Sequence, residues 1–323
     1  MAQFLISSSS RDGFHMKSEF KAFPVNFVNA LRRIMLHGVP TVVIRDVQIL
    51  ENKTQMPHEM LKHRMELVPV NVNPDEAKII RDALVELKVA PDATKDRFIT
   101  TDDFTIESGR DGVLLKDKDL KTPMLFIKVR KNESLHIRGR LTIDADTASQ
   151  VCTATHSFHV DEELAKQKRQ EFIEKKEDDV RVFDNFYIQR YYSRDPETGD
   201  PNWIDLDIES VGVLSCKEIL RMANDILRQR VAKWFEEALE KIGREPEPNS
   251  YRITMQSGGY TVGNLVQKVM YDSGMCSFQS CDMPHPLRQE VVVRFYTEEA
   301  PEKVLTRVRS DIHEYCGIVE KGL

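Results

Sequence analysis

The sequence is short of most features that a secreted, membrane-bound or self-sufficient catalytic protein uses. Its 323 residues include five cysteines, Cys152, Cys216, Cys276, Cys281 and Cys316. They are odd in number, scattered and never spaced C-x-x-C, so neither a disulfide framework nor a zinc ribbon is indicated. A reducing, intracellular setting fits that usage. No apolar run reaches the roughly 18 residues needed to cross a bilayer, and MAQFLISSSS lacks the basic lead-in of a secretory signal. There is no excess of basic residues: the net charge is -6, which argues against a protein whose main task is gripping phosphates. KQKR at 166–169 sits in a charge-mixed helical stretch and makes no nuclear-import cluster. GGYTVG at 258–263 lacks the Lys-Ser/Thr ending of a phosphate loop, and its glycines read as a turn before a helix. His58 with His63, and His156 with His159, lack nearby cysteines and an H-E-x-x-H arrangement, so they read as surface or interface histidines.

What is present is a globular chain, 41% hydrophobic, long enough for one large or two modest domains. FHMKSEF (14–20) alternates as a half-buried strand, and a helix follows from about Pro24 to His37, where Gly38 and Pro40 stop it. VVIRDVQI (42–49) is strand-like, and MPHEMLKHRMELVPV (56–70) reads as a short helix running into an extended segment. Residues 73–135 change character, highly charged with turn residues between short apolar patches, as in an inserted module. LHIRGRLTIDAD and VCTATHSFHV are strand-like again, 161–179 is a charged surface helix, and SRDPETGDPN is a loop. WIDLDIESVGVL leads into the strongest helix, about Lys217 to Ile242, with a continuous apolar face. GREPEPNS (243–250) reads as a linker, since Pro246 and Pro248 cannot continue a helix. Beyond it lie a strand (YRITM), a helix from Thr261 to Tyr271, a PHPL loop, a strand (EVVVRFYT) and a terminal helix striped with Val304, Val308, Ile312, Tyr315 and Val319.

The helix containing NALRRIML carries two arginines in an otherwise apolar stretch. At 100° per residue, Asn26, Asn29, Arg32 and Arg33 gather on one arc, and Phe27, Val28, Ala30, Leu31, Ile34 and Met35 on the other. Shifting by 235 positions superposes Thr261, Asn264, Gln267 and Lys268 on the polar arc and Val262, Leu265, Val266, Val269 and Met270 on the apolar one. Each helix follows a strand and precedes another with a similar core, VVIR or VVVR. That pattern fits either an internal repeat whose two copies pair as a pseudo-dimer or two unrelated amphipathic helices.

Asp205, Asp207 and Glu209 alternate with apolar residues, which puts three carboxylates on one strand face. Such a face could hold a divalent cation, but a solvated strand face is the simpler reading, and no nucleotide-binding motif accompanies it. Lys128, Arg130, Arg138 and Arg140 form a local basic group without interleaved aromatics, better suited to an acidic protein surface or to solvent than to single-stranded bases.

FVNALRRIMLHGVPTVVIRDVQI followed by HEMLKHRMELVPV resembles the signature of the α-like assembly subunits of multisubunit RNA polymerases: the third subunit of eukaryotic RNA polymerase II, archaeal D and bacterial α. TTDDF (100–104) and IDLDIESVGVL with its following helix resemble later parts of that subunit. YTVGNLVQKVM, the PHPL loop, VVVRFYT and the terminal helix resemble the eleventh subunit and archaeal L. Having both on one polypeptide is similar to the fused subunit of large cytoplasmic DNA viruses, which implies host cytoplasm and virion as its location.

The resemblance implies an α+β fold of two α-like dimerisation modules forming an intramolecular pseudo-dimer, with an α+β domain inserted in the first. The expected limits are 1–48 and 147–242 for the first module, 49–146 for the insert, 243–250 for the linker and 251–323 for the second module. It implies a noncatalytic subunit of a DNA-directed RNA polymerase that docks the largest and second-largest subunits. Phe27, Leu31, Ile34, Met35, Val262, Leu265, Val266, Val269, Met270, Val308 and Ile312 would form the pairing core. Asn29, Arg32 and Arg33 would face the second-largest subunit, where arginine's planar fork suits carboxylates and carbonyls. Further partners similar to the small tenth and twelfth subunits are implied, with no direct sequence-specific nucleic-acid contact. No cofactor or metal is expected: many third subunits carry a cysteine-rich loop in the insert, whereas 49–145 has no cysteine. The competing readings are a metal-dependent hydrolase using Asp205, Asp207 and Glu209, and a scaffold unrelated to transcription.

Overall fold

The structure, a computed structural model, describes residues 2–107, 112–145, 151–175, 179–255, 259–285, 287–288 and 290–323. Gly258 of the glycine-rich stretch, Pro286 of the PHPL loop and the expected insert boundary at 146–147 lie outside them. The chain divides into two compact units. One comprises Met1–Ile34, Ala154–Ile208 and Leu220–Leu323, and the other Met35–Thr153 and Glu209–Ile219.

The chain begins with an antiparallel hairpin of β1 (Gln3–Ser9) and β2 (His15–Lys21). Lys21 is followed by Ala22 with φ +55° and then Pro24, a corner from which α1 (Val25–Leu36) starts. The second unit then takes over with β3 (Thr41–Asn52), α2 (His58–Glu66), α3 (Ala77–Asp82), β4 (Leu84–Val89), β5 (Arg97–Thr100), β6 (Thr105–Glu107), β7 (Leu125–Val129) and β8 (Leu135–Asp144). Its main sheet has the order β3-β8-β4-β6, with a separate β5-β7 ribbon. Val42, Ile44, Leu61, Met65, Val85, Leu87, Phe126 and Ile137 fill one continuous core there. A Cβ on Gly139 of β8 would lie 2.6 Å from Ile44 Cγ2 and 3.2 Å from Met65 Cε, so this strand tolerates no side chain at its closest approach to β3 and α2.

The chain returns through β9 (Cys152–Phe158), α4 (Glu162–Lys175), α5 (Val180–Val182) with irregular turns to Arg190, β10 (Trp203–Ser210) and the long α6 (Cys216–Glu240). It continues as β11 (Ile242–Arg244), β12 (Ser250–Met255), α7 (Tyr260–Ser273), β13 (Phe278–Asp282), β14 (Val291–Tyr296) and α8 (Pro301–Gly322). The two sheets have the orders β1-β2-β10-β9 and β11-β12-β14-β13.

These orders repeat the same sheet positions twice, hairpin, helix, two strands, helix, with the second unit and α4–α5 as additions to the first copy. They also correct one correspondence. The expected mate of β14 (VVVR) was β3 (VVIR), but β3 pairs β8 in the second unit, and the strand equivalent to β14 is β10. Two β-branched runs look alike in sequence, while the insertion separating α1 from its true sheet partner is invisible to periodicity.

Three further expectations shift. The boundary at 48/49 falls inside β3, which pairs with β8 along its whole length, and 209–219 also joins the second unit. The stretch 243–250 is not a free linker: Gly243 and Arg244 pair with Arg252 and Tyr251 across a tight turn, and Glu245 N–H donates to Ser250 C=O at 2.9 Å. Pro246 and Pro248 sit in that turn, where no ladder hydrogen bond is required of them. Finally, Gly263 belongs to α7 rather than to a turn; its absent Cβ would lie 2.8 Å from Cys281 Sγ and 3.2 Å from Val291 Cγ1.

Candidate assembly interface

Every residue expected in the pairing core is buried. Phe27, Leu31, Met35, Leu265, Val266, Met270, Val308 and Ile312 are at 0% exposure, and Ile34, Val262 and Val269 at 4% or less. All but Met35 belong to the first unit. Burial follows the helical wheel: the apolar arc of α1 is inaccessible, while Asn26, Asn29 and Arg32 are half-buried and Arg33 is exposed. Leu36, the misfit on that wheel, is half-buried.

Contacts join the two halves of the sequence at several points. Asn26 Nδ2 donates to Asn264 C=O at 2.9 Å, and Arg33 Nε to Thr261 Oγ1 at 3.1 Å. Moving up α1 from 26 to 33, the partner moves back down α7 from 264 to 261, so the helices cross in opposed senses. Phe23 and Phe27 pack at a tilt against Tyr315 of α8, with ring centres 5.2 and 5.6 Å away. On α6, Asn224 is 1% exposed and donates to Cys316 C=O at 3.0 Å, and Arg228 pairs with Glu320 at 2.8 Å. Lys268 of α7 reaches Asp200 of the 193–202 loop and Asp272, both at 2.8 Å. Burial pulls the Lys268 ammonium toward neutrality, but the hydrogen bonds to Asp200 and Asp272 outweigh it and hold the group charged. The wheel could not reveal Asn26, Asn224, Asp200 or Tyr315 in these roles, because each is a long-range partner with no local signal.

A cleft of about 220 Å³ lies at the crossing, lined by Val25, Asn26, Asn29, Arg33, His156, Tyr260, Thr261 and Asn264. Six of these form three pairs separated by 235 positions: Val25 with Tyr260, Asn26 with Thr261, Asn29 with Asn264. Arg33 and His156 break the symmetry, and no acidic side chain lines the cleft. Arg32 donates to Asn29 Oδ1 at 3.2 Å. Burial, and then the nearby Arg32 charge, hold the His156 imidazole below its usual range, and burial with Arg309 and Arg228 does the same to His313.

These two histidines set a pH dependence. Their protonation is disfavoured in the fold relative to the unfolded chain, whose imidazoles titrate near about 6.5. The unfolded state therefore binds more protons as pH falls through that value. Their contribution is fully present above about pH 6.5 and is lost as pH drops through the depressed folded values. Urea denaturation at pH 7.5 and 5.5 is expected to give a lower midpoint at 5.5, and His156→Gln with His313→Gln is expected to shrink the difference.

The three strand carboxylates have different partners. Asp205 is bonded to His159 Nδ1 at 2.9 Å, Asp207 to His15 at 2.9 Å and Lys17 at 3.5 Å, and Glu209 to Lys118. His159 stacks on Trp203 at 3.7 Å, with Lys21 Nζ 3.5 Å from the same ring. Among the described residues no group of three His, Cys, Asp or Glu is placed to hold a metal ion. Four of the thiols are protonated at neutral pH: burial pushes Cys152 up to about 12, with Cys216 adding, and Cys276, Cys281 and Cys316 to about 11. Among the described residues, no helix is long and apolar enough to cross a membrane.

Fold and site together define a chain of two like helix-and-sheet modules that meet through their helices, the first interrupted by a second α+β unit. The family described as the RNA polymerase Rpb3/Rpb11 dimerisation domain matches residues 18–231, and a second form of the same domain matches 250–322. The DNA-directed RNA polymerase subunit Rpo3 of Aeropyrum pernix is 24% identical over 283 residues, covering 94% of that protein and 72% of this chain. Subunit 3 of RNA polymerases II, IV and V of Arabidopsis thaliana is 23% identical over 278 residues, 86% of it and 67% of this chain. Rpo3 of Methanocaldococcus jannaschii is 49% identical over 51 residues, 27% of its length. The chain belongs to the Rpb3/Rpb11 dimerisation-domain family of RNA polymerase subunits and carries both modules fused as one α-like subunit.

Proposed function

We propose that the chain is a noncatalytic assembly platform of a DNA-directed RNA polymerase, whose two modules pair with each other intramolecularly and dock the two large catalytic subunits. The observation that carries this reading is the cleft at the α1/α7 crossing, lined by three residue pairs related by the 235-position repeat. An isologous contact brings equivalent residues together about a dyad, and a pseudo-dimer on one chain does the same with its repeats. Joining the modules covalently raises the effective concentration of each for the other, and the β11–β12 hairpin makes the joint short.

Arg33, Arg32 and Asn29 then supply the surface for the second-largest subunit. The cleft offers a guanidinium and an imidazole with no carboxylate of its own, so an acidic side chain or a chain carbonyl of the large subunit complements it. Partners similar to the small tenth and twelfth subunits complete the assembly, and sequence-specific nucleic-acid contact is not part of its role. The fusion is that of the subunits of large cytoplasmic DNA viruses. The hydrolase alternative loses its footing because Asp205, Asp207 and Glu209 each face a separate partner, His159, His15 with Lys17, and Lys118, rather than one another.

Coexpressing 1–247 and 248–323 as separate chains tests the pairing. The break falls at the hairpin tip, so the fragments are expected to copurify as a 1:1 complex through the buried helix faces. Recovery of two soluble, independent monomers would contradict the reading.

A further inference from the structure

The four-residue basic group suggested by the sequence is split by the fold. Lys128 lies on the β5-β7 ribbon, paired with Asp96 at 3.0 Å and 5.6 Å from the Phe98 ring centre. Arg130, beyond the end of β7, binds its backbone N–H to Glu133 Oε2. Arg138 and Arg140 remain together on the exposed face of β8, central to the β3-β8-β4-β6 sheet.

Their surroundings leave them with charge to spare. Arg138 donates through Nε and Nη2 to Gln48 Oε1 at 3.0 and 2.8 Å, which fixes the guanidinium plane but is a neutral partner. Glu86 lies opposite Arg138 on β4 and feels its charge, but the carboxylate's hydrogen bond goes to His136 Nε2 at 2.7 Å, so Arg138 makes no ion pair with it. The Arg140 side chain makes no hydrogen bond or ion pair among the described residues. Its cross-strand neighbours are Leu84 on one side and Arg45 on the other, and Arg45 is itself committed to Asp144 at 2.9 Å. Like charges directly opposite in a sheet are destabilising, and no carboxylate among the described residues pairs with Arg140. Beside the pair, β3 bulges between Arg45 and Gln48, with Asp46 at φ +53°, and a cleft of about 470 Å³ opens, lined by Asp46, Val47, Gln48, Leu84, Arg138 and Arg140. Asp46 is the one carboxylate in that lining and forms no ion pair with either arginine.

We propose that this cleft is a second docking surface, which takes an extended segment of a partner protein carrying acidic residues at alternate positions. Arg138 and Arg140 are two residues apart on a strand, so their side chains rise from the same face roughly 6.5–7 Å apart. Carboxylates at i and i+2 of an extended chain have the same spacing, and each can bond a guanidinium fork bidentately. Leu84 and Val47 give the segment an apolar floor. Nucleic acid is a poorer fit, because the cleft holds no aromatic ring on which a base could stack.

The test uses the full chain, with amide NMR shifts and titration calorimetry, and four probes: a Glu-Ala-Glu-Ala-Glu peptide, the same peptide with lysine for glutamate, inorganic phosphate, and a dT12 oligonucleotide. The acidic peptide is expected to move the amides of 46–48, 84–86 and 138–140. Arg138→Glu with Arg140→Glu is expected to weaken its binding at least about tenfold, while Arg138→Lys with Arg140→Lys, which keeps charge but loses the fork, lies between. Both variants sit on an exposed face and are expected to fold, checked by an unchanged denaturation midpoint. Tighter binding of dT12, equal binding of phosphate, or no shift at these amides with the acidic peptide would each overturn the proposal. None of these results depends on whether the large polymerase subunits bind.

Discussion

Replacing Phe27 by alanine is expected to cost about 3–5 kcal/mol, the range for truncating a buried phenylalanine. The ring is fully buried on α1 and touches two other rings, Phe23 at 5.4 Å and Tyr315 at 5.6 Å. Tyr315 belongs to the last helix of the chain, so the cavity would open between elements that are nearly 290 residues apart in sequence. The loss should therefore be shared: urea unfolding followed by Trp203 and Trp234 fluorescence should show a lower midpoint, and amide exchange should rise in both α1 and α8. Phe27→Leu retains most of the volume and should recover well over half of the loss. A Phe27→Ala protein whose exchange rises in α1 alone would argue that the two halves do not share this core.

Gly263→Val should be nearly as damaging, for the opposite reason. Glycine inside a helix normally costs up to about 1 kcal/mol against alanine, so a mid-helix glycine with no packing role would gain stability on substitution. Here the Cβ position lies 2.8 Å from Cys281 Sγ and 3.2 Å from Val291 Cγ1, and valine adds two methyls to that contact. Overpacking of this kind costs about 1–3 kcal/mol or more, and the strain falls between α7 and its own sheet. The mechanism is checked by Cys281→Ala: in the double variant the Sγ is gone, and part of the lost stability should return. Without such recovery, the close approach to β13 is not what holds glycine at this position.

The two cases mark how far the sequence was legible. The amphipathic wheels of α1 and α7 are legible in the sequence, because a 3.6-residue period is a local signal and burial follows it directly. The core of α8 was equally plain. Strand partnership was not, because pairing is a long-range property. VVIR and VVVR are alike in sequence and lie in unlike sheets, whereas β10 and β14 occupy the same sheet position with little in common beyond an alternating core. The β11–β12 hairpin was hidden because prolines that forbid a helix are equally compatible with a turn. At the site, Arg33 and Asn29 could be named from the wheel, but their neighbours Asn264, Thr261 and His156 come from distant segments. The buried Asn224, with its carboxamide on a backbone carbonyl of α8, gave no sign of itself in an otherwise regular helix.

The central claim is that this chain is the platform on which the large polymerase subunits assemble. Affinity purification of the tagged full-length chain from the cells in which it is naturally expressed, followed by mass spectrometry and native mass measurement, tests it most directly. The two largest RNA polymerase subunits are predicted to be recovered in equal amounts with one copy of this chain, and Arg32→Glu with Arg33→Glu is predicted to lower their recovery at least about tenfold while leaving the chain folded. A chain recovered alone, or only with further copies of itself, would contradict the account.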